Sequence, residues 1–162
     1  MSAAFDFFQA TSVADMAAAR QLFREYQDGL TVAACFQDFE RELEQLPGPY
    51  APPDGHLYLA RERNAPALAG CVAIRPAQAG YCEMKRLYVR PPWRGRGLGR
   101  QLAALCLQEA TAIGYRYMCL DTVGFLTEAR ALYSSMGFRE TTAYDDNPSN
   151  RVISMEIALK IA

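Results

Sequence analysis

The spacing of apolar residues switches between a period near 3.6 and a period near 2, and each switch marks the end of an element. Ala4 to Ala10 reads as a short strand. Ser12-Val-Ala-Asp15 follows as an N-cap with its acid at the third helical position. Met16, Ala19, Leu22, Phe23 and Tyr26 then make the apolar face of a helix stopped at Asp28-Gly29. A second helix is predicted near Phe36 to Leu46, with Phe36, Phe39, Leu43 and Leu46 on one side and Asp38, Glu40, Arg41, Glu42 and Glu44 towards solvent. That acidic face serves either solubility or the attraction of a cationic molecule. Leu46-Pro-Gly-Pro-Tyr-Ala-Pro-Pro-Asp-Gly55 is too rich in proline and glycine for a helix or a central strand, and reads as a stiff loop. Tyr50 at its middle either lines a pocket or packs against the body of the protein.

Three strands are predicted next, at Leu57–Arg61, Ala67–Arg75 and Tyr81–Val89, joined by turn-forming residues into an antiparallel meander. Leu98, Leu102, Leu105, Ala112 and Ile113 give the following helix, interrupted on that face by Glu109. It leads to a strand at Tyr117–Asp121, parallel to its predecessor because a crossover reaches it. Leu126, Ala129, Leu132, Tyr133 and Met136 make a last helix ended by Gly137. Phe138–Thr142 and Val152–Leu159 close the chain as an antiparallel pair. The pattern is that of an α/β (α+β) domain with a central mixed, mostly antiparallel sheet of about seven strands flanked by about four helices.

Composition narrows the partners. At 162 residues the chain is read as one domain spanning 1–162, of a size that buries roughly 70% of its unfolded surface. A net charge of −1 gives no general attraction to nucleic acid or to an anionic membrane, and no apolar run is long enough to span a bilayer. Five cysteines without C-x-x-C spacing (Cys35, Cys71, Cys82, Cys106 and Cys119) read as free thiols of a reducing compartment, and hence of a cytoplasmic protein. The sole histidine, His56, has no companion for a metal, so no metal is expected. A homodimer is compatible with all of this.

Basic charge is concentrated instead in one stretch, Lys85 to Arg100, and it coincides with Arg94-Gly-Arg-Gly-Leu-Gly-Arg100 between a strand and a helix. The first turn of a helix presents unpartnered N–H groups and the positive end of its dipole, glycines let the backbone approach an anion, and arginines add charge around it. A pyrophosphate fits such a turn. A Walker loop would need Gly-Lys-Ser/Thr, whereas Gly99 is followed by Arg100 and Gln101. In a dinucleotide fingerprint Arg100 would hold the third glycine position. What remains is Arg94-x-x-Gly97-x-Gly99. This pattern resembles the acetyl-CoA-binding turn of the GNAT acetyltransferase superfamily, and Leu132-Tyr-Ser-Ser-Met-Gly-Phe138 resembles a helix ending these enzymes carry downstream. The resemblance covers roughly Ala69 to the C-terminus.

The resemblance implies a GNAT fold, an N-acetyltransferase using acetyl-CoA, and a set of site residues. The turn, with Arg94, Gly95, Arg96, Gly97, Leu98, Gly99 and Arg100, would bind pyrophosphate through its amides. Leu87 and Val89 would pair with the pantetheine arm, the Leu87 amide facing the thioester oxygen. Glu83, eleven residues before Arg94, stands where some members carry the glutamate that removes the amine proton. Period-2 parity would set it on the face of Leu87 and Val89; the competing reading is an ion pair with a nearby cation. Tyr133 matches the tyrosine placed beside the thioester sulfur, or else is a core aromatic. Leu126 stands where many members have Asn, three residues before the helix alanine, so any role of that amide is absent or reassigned. Tyr144-Asp-Asp-Asn-Pro-Ser149, with Tyr144 and Asn147, resembles the loop overhanging the acceptor site, and reads otherwise as a polar hairpin turn. Asp121 and Thr122 would bond either to CoA or to the next loop. The acceptor is expected to be a small primary amine, one that also bears a carboxylate being included. The alternatives are a protein or peptide acceptor and a non-catalytic acyl-CoA-binding or regulatory module.

Overall fold

A computed structural model describes residues 5–30, 36–123, 126–141 and 152–160. The elements run β1 (Phe5–Gln9), α1 (Val13–Gly29), α2 (Phe36–Glu44), β2 (His56–Glu62), β3 (Leu68–Pro76), β4 (Tyr81–Val89), α3 (Leu98–Ile113), β5 (Tyr117–Val123), α4 (Thr127–Ser135), β6 (Arg139–Glu140) and β7 (Val152–Ala158). The start of α1 follows from its sequence: Ser12 Oγ accepts from the Asp15 amide at 3.0 Å, and Asp15 accepts from the Ser12 amide at 3.2 Å.

The strands form one sheet in the order β1-β2-β3-β4-β5-β7-β6, antiparallel except for the β4–β5 pair. Each face carries an apolar core. Val72, Ile74, Cys82 and Met84 pack with Leu98, Leu102, Cys106 and Ala110 of α3 and Tyr133 of α4 on one face. Cys71 and Ala73 pack with Leu22 and Phe23 of α1, Leu43 of α2 and Tyr50 on the other. On α3 the buried stripe follows Leu98, Leu102, Cys106 and Ala110, while Ala112, expected on it, is exposed.

Two departures from regular pairing shape the middle of the sheet. First, β4 and β5 pair only at Tyr81–Tyr117, Cys82–Met118 and Glu83–Cys119, while β5 continues along β7 to Val123 and β4 along β3 to Val89. The sheet is therefore split beyond Glu83, and the β5-facing edge of Leu87–Val89 has no strand partner among the described residues. Second, the register against β3 steps from Ala73–Lys85 to Cys71–Tyr88, which inserts one extra residue in β4. Arg86 sits in this bulge with φ +62°, a left-handed conformation that costs a non-glycine residue roughly 1–3 kcal/mol.

The bulge corrects the period-2 expectation for β4. Residues on either side of it no longer share parity, so Glu83 and Lys85 face the α1/α2 side with Arg75 and Ala73, whereas Leu87 and Val89 face the α3/α4 core. Arg86 is held by a bidentate pair with Glu42 of α2, Nε to Oε2 at 3.0 Å and Nη2 to Oε1 at 2.9 Å. Tyr50 donates to the same Oε2 at 3.0 Å. Two of the four acids of α2 are thus engaged by arginines: Glu40 pairs with Arg24 as Glu42 does with Arg86.

Candidate active site

Two cavities meet where the sheet splits. The larger, about 700 Å³, is bounded by the glycine turn from Trp93 to Arg100, by Leu87–Val89, by the end of α1 and by the start of α4. The smaller, about 160 Å³, is bounded by Glu83 to Leu87, by Leu120–Thr122 and by Val152. Tyr26, Leu30, Leu87 and Tyr133 line both.

The turn presents the amino end of α3 to the larger cavity. Gly97 caps α3 with φ +82° and ψ +6°, and the first described helical bond of that end runs from the Gln101 amide to the Gly97 carbonyl. The amides of Leu98, Gly99 and Arg100 lie ahead of that bond, at the positive end of a sixteen-residue helix. A Cβ on Gly99 would meet only Leu132 Cδ2 at 3.7 Å and Val89 Cγ2 at 3.9 Å, ordinary contacts. The arginines differ in use. Arg94 Nε donates to the Val89 carbonyl at 2.8 Å and Arg100 Nη2 to Ser135 Oγ at 2.6 Å, and both residues line the larger cavity. Arg96, expected beside the anion, instead directs its guanidinium to Glu62 at 2.9 Å, which Trp93 Nε1 also reaches at 2.8 Å. Its side chain fastens the turn to β2.

On the other side of the split, Glu83 Oε1 accepts from Arg75 Nε at 3.0 Å and Nη2 at 2.9 Å. No bond to Oε2 is found among the described residues. The ion pair foreseen for Glu83 therefore exists, with a β3 arginine, and occupies one carboxylate oxygen only. Tyr133 is 7% exposed, its ring meets Phe138 edge-on at 5.7 Å, and its hydroxyl has no hydrogen-bond partner among the described residues. Burial pushes its phenol well above the ordinary tyrosine range, so it stays protonated. Asp121 Oδ1 accepts from Ser154 Oγ at 2.7 Å and bounds the smaller cavity with Thr122.

Tyr50, expected as an acceptor-binding aromatic, is 1% exposed in the α1/α2 core, edge-on to Phe23 at 6.2 Å, and lines neither cavity. It packs there because its hydroxyl finds Glu42. Tyr144, Asn147 and Cys35 lie outside the described residues. The pattern of the sequence had put Tyr26 on the apolar face of α1, whereas it bounds both cavities; a tyrosine in the last turn of a helix carries no signal that distinguishes the two. Among the described residues no cluster of three His, Cys, Asp or Glu could hold a metal, and no helix is long and apolar enough to cross a membrane.

The site is thus a split mixed sheet with a glycine-capped helix end at one mouth and a carboxylate at the other. The profile of the acetyltransferase (GNAT) domain matches residues 53–140. An uncharacterized N-acetyltransferase of Schizosaccharomyces pombe is 40% identical over 141 residues, 86% of each chain. The crystal structure of a GNAT acetyltransferase from Staphylococcus aureus Mu50 superposes with a TM-score of 0.78 at 18% identity, covering 97% of this chain and all of its own. A Klebsiella pneumoniae structure described as an acyl-CoA N-acyltransferase gives 0.72 at 26% identity, covering 96% and 98%. The chain belongs to the GNAT acetyltransferase family and is an acyltransferase. Family members use an acyl-CoA cosubstrate.

Proposed function

We propose that the protein transfers the acetyl group of acetyl-CoA to the primary amine of a small molecule, by direct attack within a ternary complex. The observation that carries this reading is the pair of cavities sharing Leu87 and Tyr133. A thioester held along β4 from the glycine turn would have its carbonyl at their common wall, with an amine arriving from the smaller cavity. The pyrophosphate would lie on the amides of Leu98 to Arg100 with Arg94 and Arg100 beside it. The unpaired edge of Leu87 and Val89 would bond the pantetheine amides, and the Leu87 N–H would donate to the oxygen on which charge develops. Removal of such donors elsewhere costs roughly 10²–10³ in rate.

An amine with pKa near 10 arrives protonated and cannot attack until it loses a proton. Glu83 takes that proton on its free Oε2, directly or through a water, while Arg75 holds the other oxygen in place. The nitrogen forms its bond to the acyl carbon, the carbon–sulfur bond breaks, the departing thiolate takes the Tyr133 proton, and the second proton shed by the amide nitrogen restores the phenol, directly or through water. The bulge supports this division of labour, since it puts Glu83 on the acceptor side and Leu87 on the thioester side of the same strand. The compact smaller cavity favours a small acceptor over a protein lysine. The test is acetyl-CoA consumption against free amino acids, polyamines and lysine-bearing peptides at equal concentration. A peptide exceeding every small amine in kcat/KM by more than about tenfold would replace the small-acceptor reading.

A further inference from the structure

Five charged side chains gather on the α1/α2 side of β4 next to the smaller cavity: Glu42, Arg75, Glu83, Lys85 and Arg86. Two ion pairs use four of them. Arg86 takes Glu42 at 2.9 Å and Arg75 takes Glu83 at 2.9 Å, so each carboxylate is matched by one guanidinium. Lys85 is the fifth. It stands opposite Ala73 in the register, lines the smaller cavity, and makes neither ion pair nor hydrogen bond with any described residue. An ammonium beside two arginines in a half-buried site lacks the counter-charge that such groups ordinarily acquire. Burial, joined by Arg86 and Arg75, depresses its pKa against the opposing pull of Glu83 and Glu42.

The cluster on β4 thus carries one unmatched positive charge, facing the cavity a short way along the strand from the proposed base. We propose that Lys85 is the anion subsite of the acceptor cavity, and that the acceptor is an amine that also carries a carboxylate. The proposal rests on the reading of the smaller cavity as the acceptor site. A carboxylate at Lys85 would complete a third ion pair in the cluster and orient the amine of the same molecule. Asp121, across the cavity, is bonded to Ser154 and exposed, and leaves the Lys85 wall as the cationic side. A charge-assisted hydrogen bond of this kind amounts to roughly 10- to 100-fold in affinity or kcat/KM.

The experiment compares free amino acids with their carboxamides, which keep the amine and lose the anion. The wild-type enzyme is expected to favour the acid over its carboxamide by about tenfold or more in kcat/KM. Lys85→Met, similar in length, should bring that ratio close to one, and Lys85→Arg should restore part of it. Equal use of acid and carboxamide by the wild type would overturn the proposal. So would a Lys85→Met loss of the same factor on both, because that would place Lys85 in the chemistry or in the fold. Calorimetric titration of the same pairs into the CoA-bound protein separates the two levels of inference. Carboxylate-dependent binding without turnover would remove acetyl transfer and leave the subsite, whereas equal binding of both members would remove the subsite and leave acetyl transfer.

Discussion

Gly97 and Gly99 are two residues apart in one motif, and the structure predicts opposite outcomes for the same substitution in them. At Gly97 an added Cβ meets only Gln101 Nε2, at 4.0 Å, so there is no clash; the cost lies in φ +82°, where an L-residue is disfavoured by roughly 1–2 kcal/mol. For a chain of this length each kcal/mol lowers Tm by about 2–4 °C, so Gly97→Ala should melt about 2–8 °C below wild type. If the turn instead relaxes to a negative φ, the amides of Leu98 to Arg100 are re-aimed and CoA affinity should fall at least about tenfold. Gly99 lies inside α3 without positive φ, and its Cβ would make ordinary contacts at 3.7 and 3.9 Å. Gly99→Ala should therefore gain the helical preference of alanine, about 0.5–1 kcal/mol, and raise Tm by about 1–4 °C. Thermal denaturation with and without CoA, followed by calorimetric titration, reads both effects. A Gly97→Ala variant that melts with the wild type and also binds CoA as tightly, or a Gly99→Ala variant less stable than Gly97→Ala, would refute the backbone argument.

Glu83→Gln should reduce kcat/KM most at low pH, where free amine is scarcest, with the deficit narrowing as pH approaches the amine's own pKa; a pH-independent deficit would count against the base role. Tyr133→Phe should lower kcat with little change in CoA affinity, since its proton is needed as charge develops on sulfur, and a loss confined to KM would contradict this. Glu42→Gln leaves Arg86 unpaired and should cost about 3 kcal/mol at neutral pH by urea denaturation. Burial alone would raise the Glu42 pKa, but the hydrogen bonds and charge of Arg86 outweigh it and the net shift is downward. Its stabilisation is therefore full above the ordinary carboxylate pKa, near 4.3, and lost as pH falls through the lower folded value, so the gap between wild type and Glu42→Gln should be constant above about pH 5 and shrink progressively as pH falls below about 4.3.

Periodicity located the strands and helices to within a few residues because each buries one face, and the glycine turn was legible because its residues follow one another in sequence. The sheet of seven strands was within reach of that pattern, whereas the GNAT family and the acyltransferase class came from the resemblance carried by Arg94-x-x-Gly97-x-Gly99 and Leu132–Phe138. What the sequence did not carry was tertiary choice. Arg86 at positive φ has no local signature, since the residue favoured there is glycine, and the conformation is held by Glu42 from another element. That one inserted residue reversed the parity argument for Glu83. Arg96 was indistinguishable from Arg94 and Arg100 in a basic run until Glu62 of β2 came within reach. Tyr50 was open to reading as a pocket aromatic or as one packed against the body, and a carboxylate eight residues earlier holds it in the core.

The bulge in β4 also bears on how an enzyme of this construction changes what it acts upon. Residues 83 and 85 border the smaller chamber alone and residue 89 the larger alone, with Leu87 bordering both, although all four belong to a single strand. In an unbroken strand these residues would share a face, and altering one set would disturb the packing of the other. With the inserted residue the two sets lie on opposite faces, so on the proposed assignment the side chains at 83 and 85 could diversify with the acceptor while the packing of 87 and 89 stayed fixed.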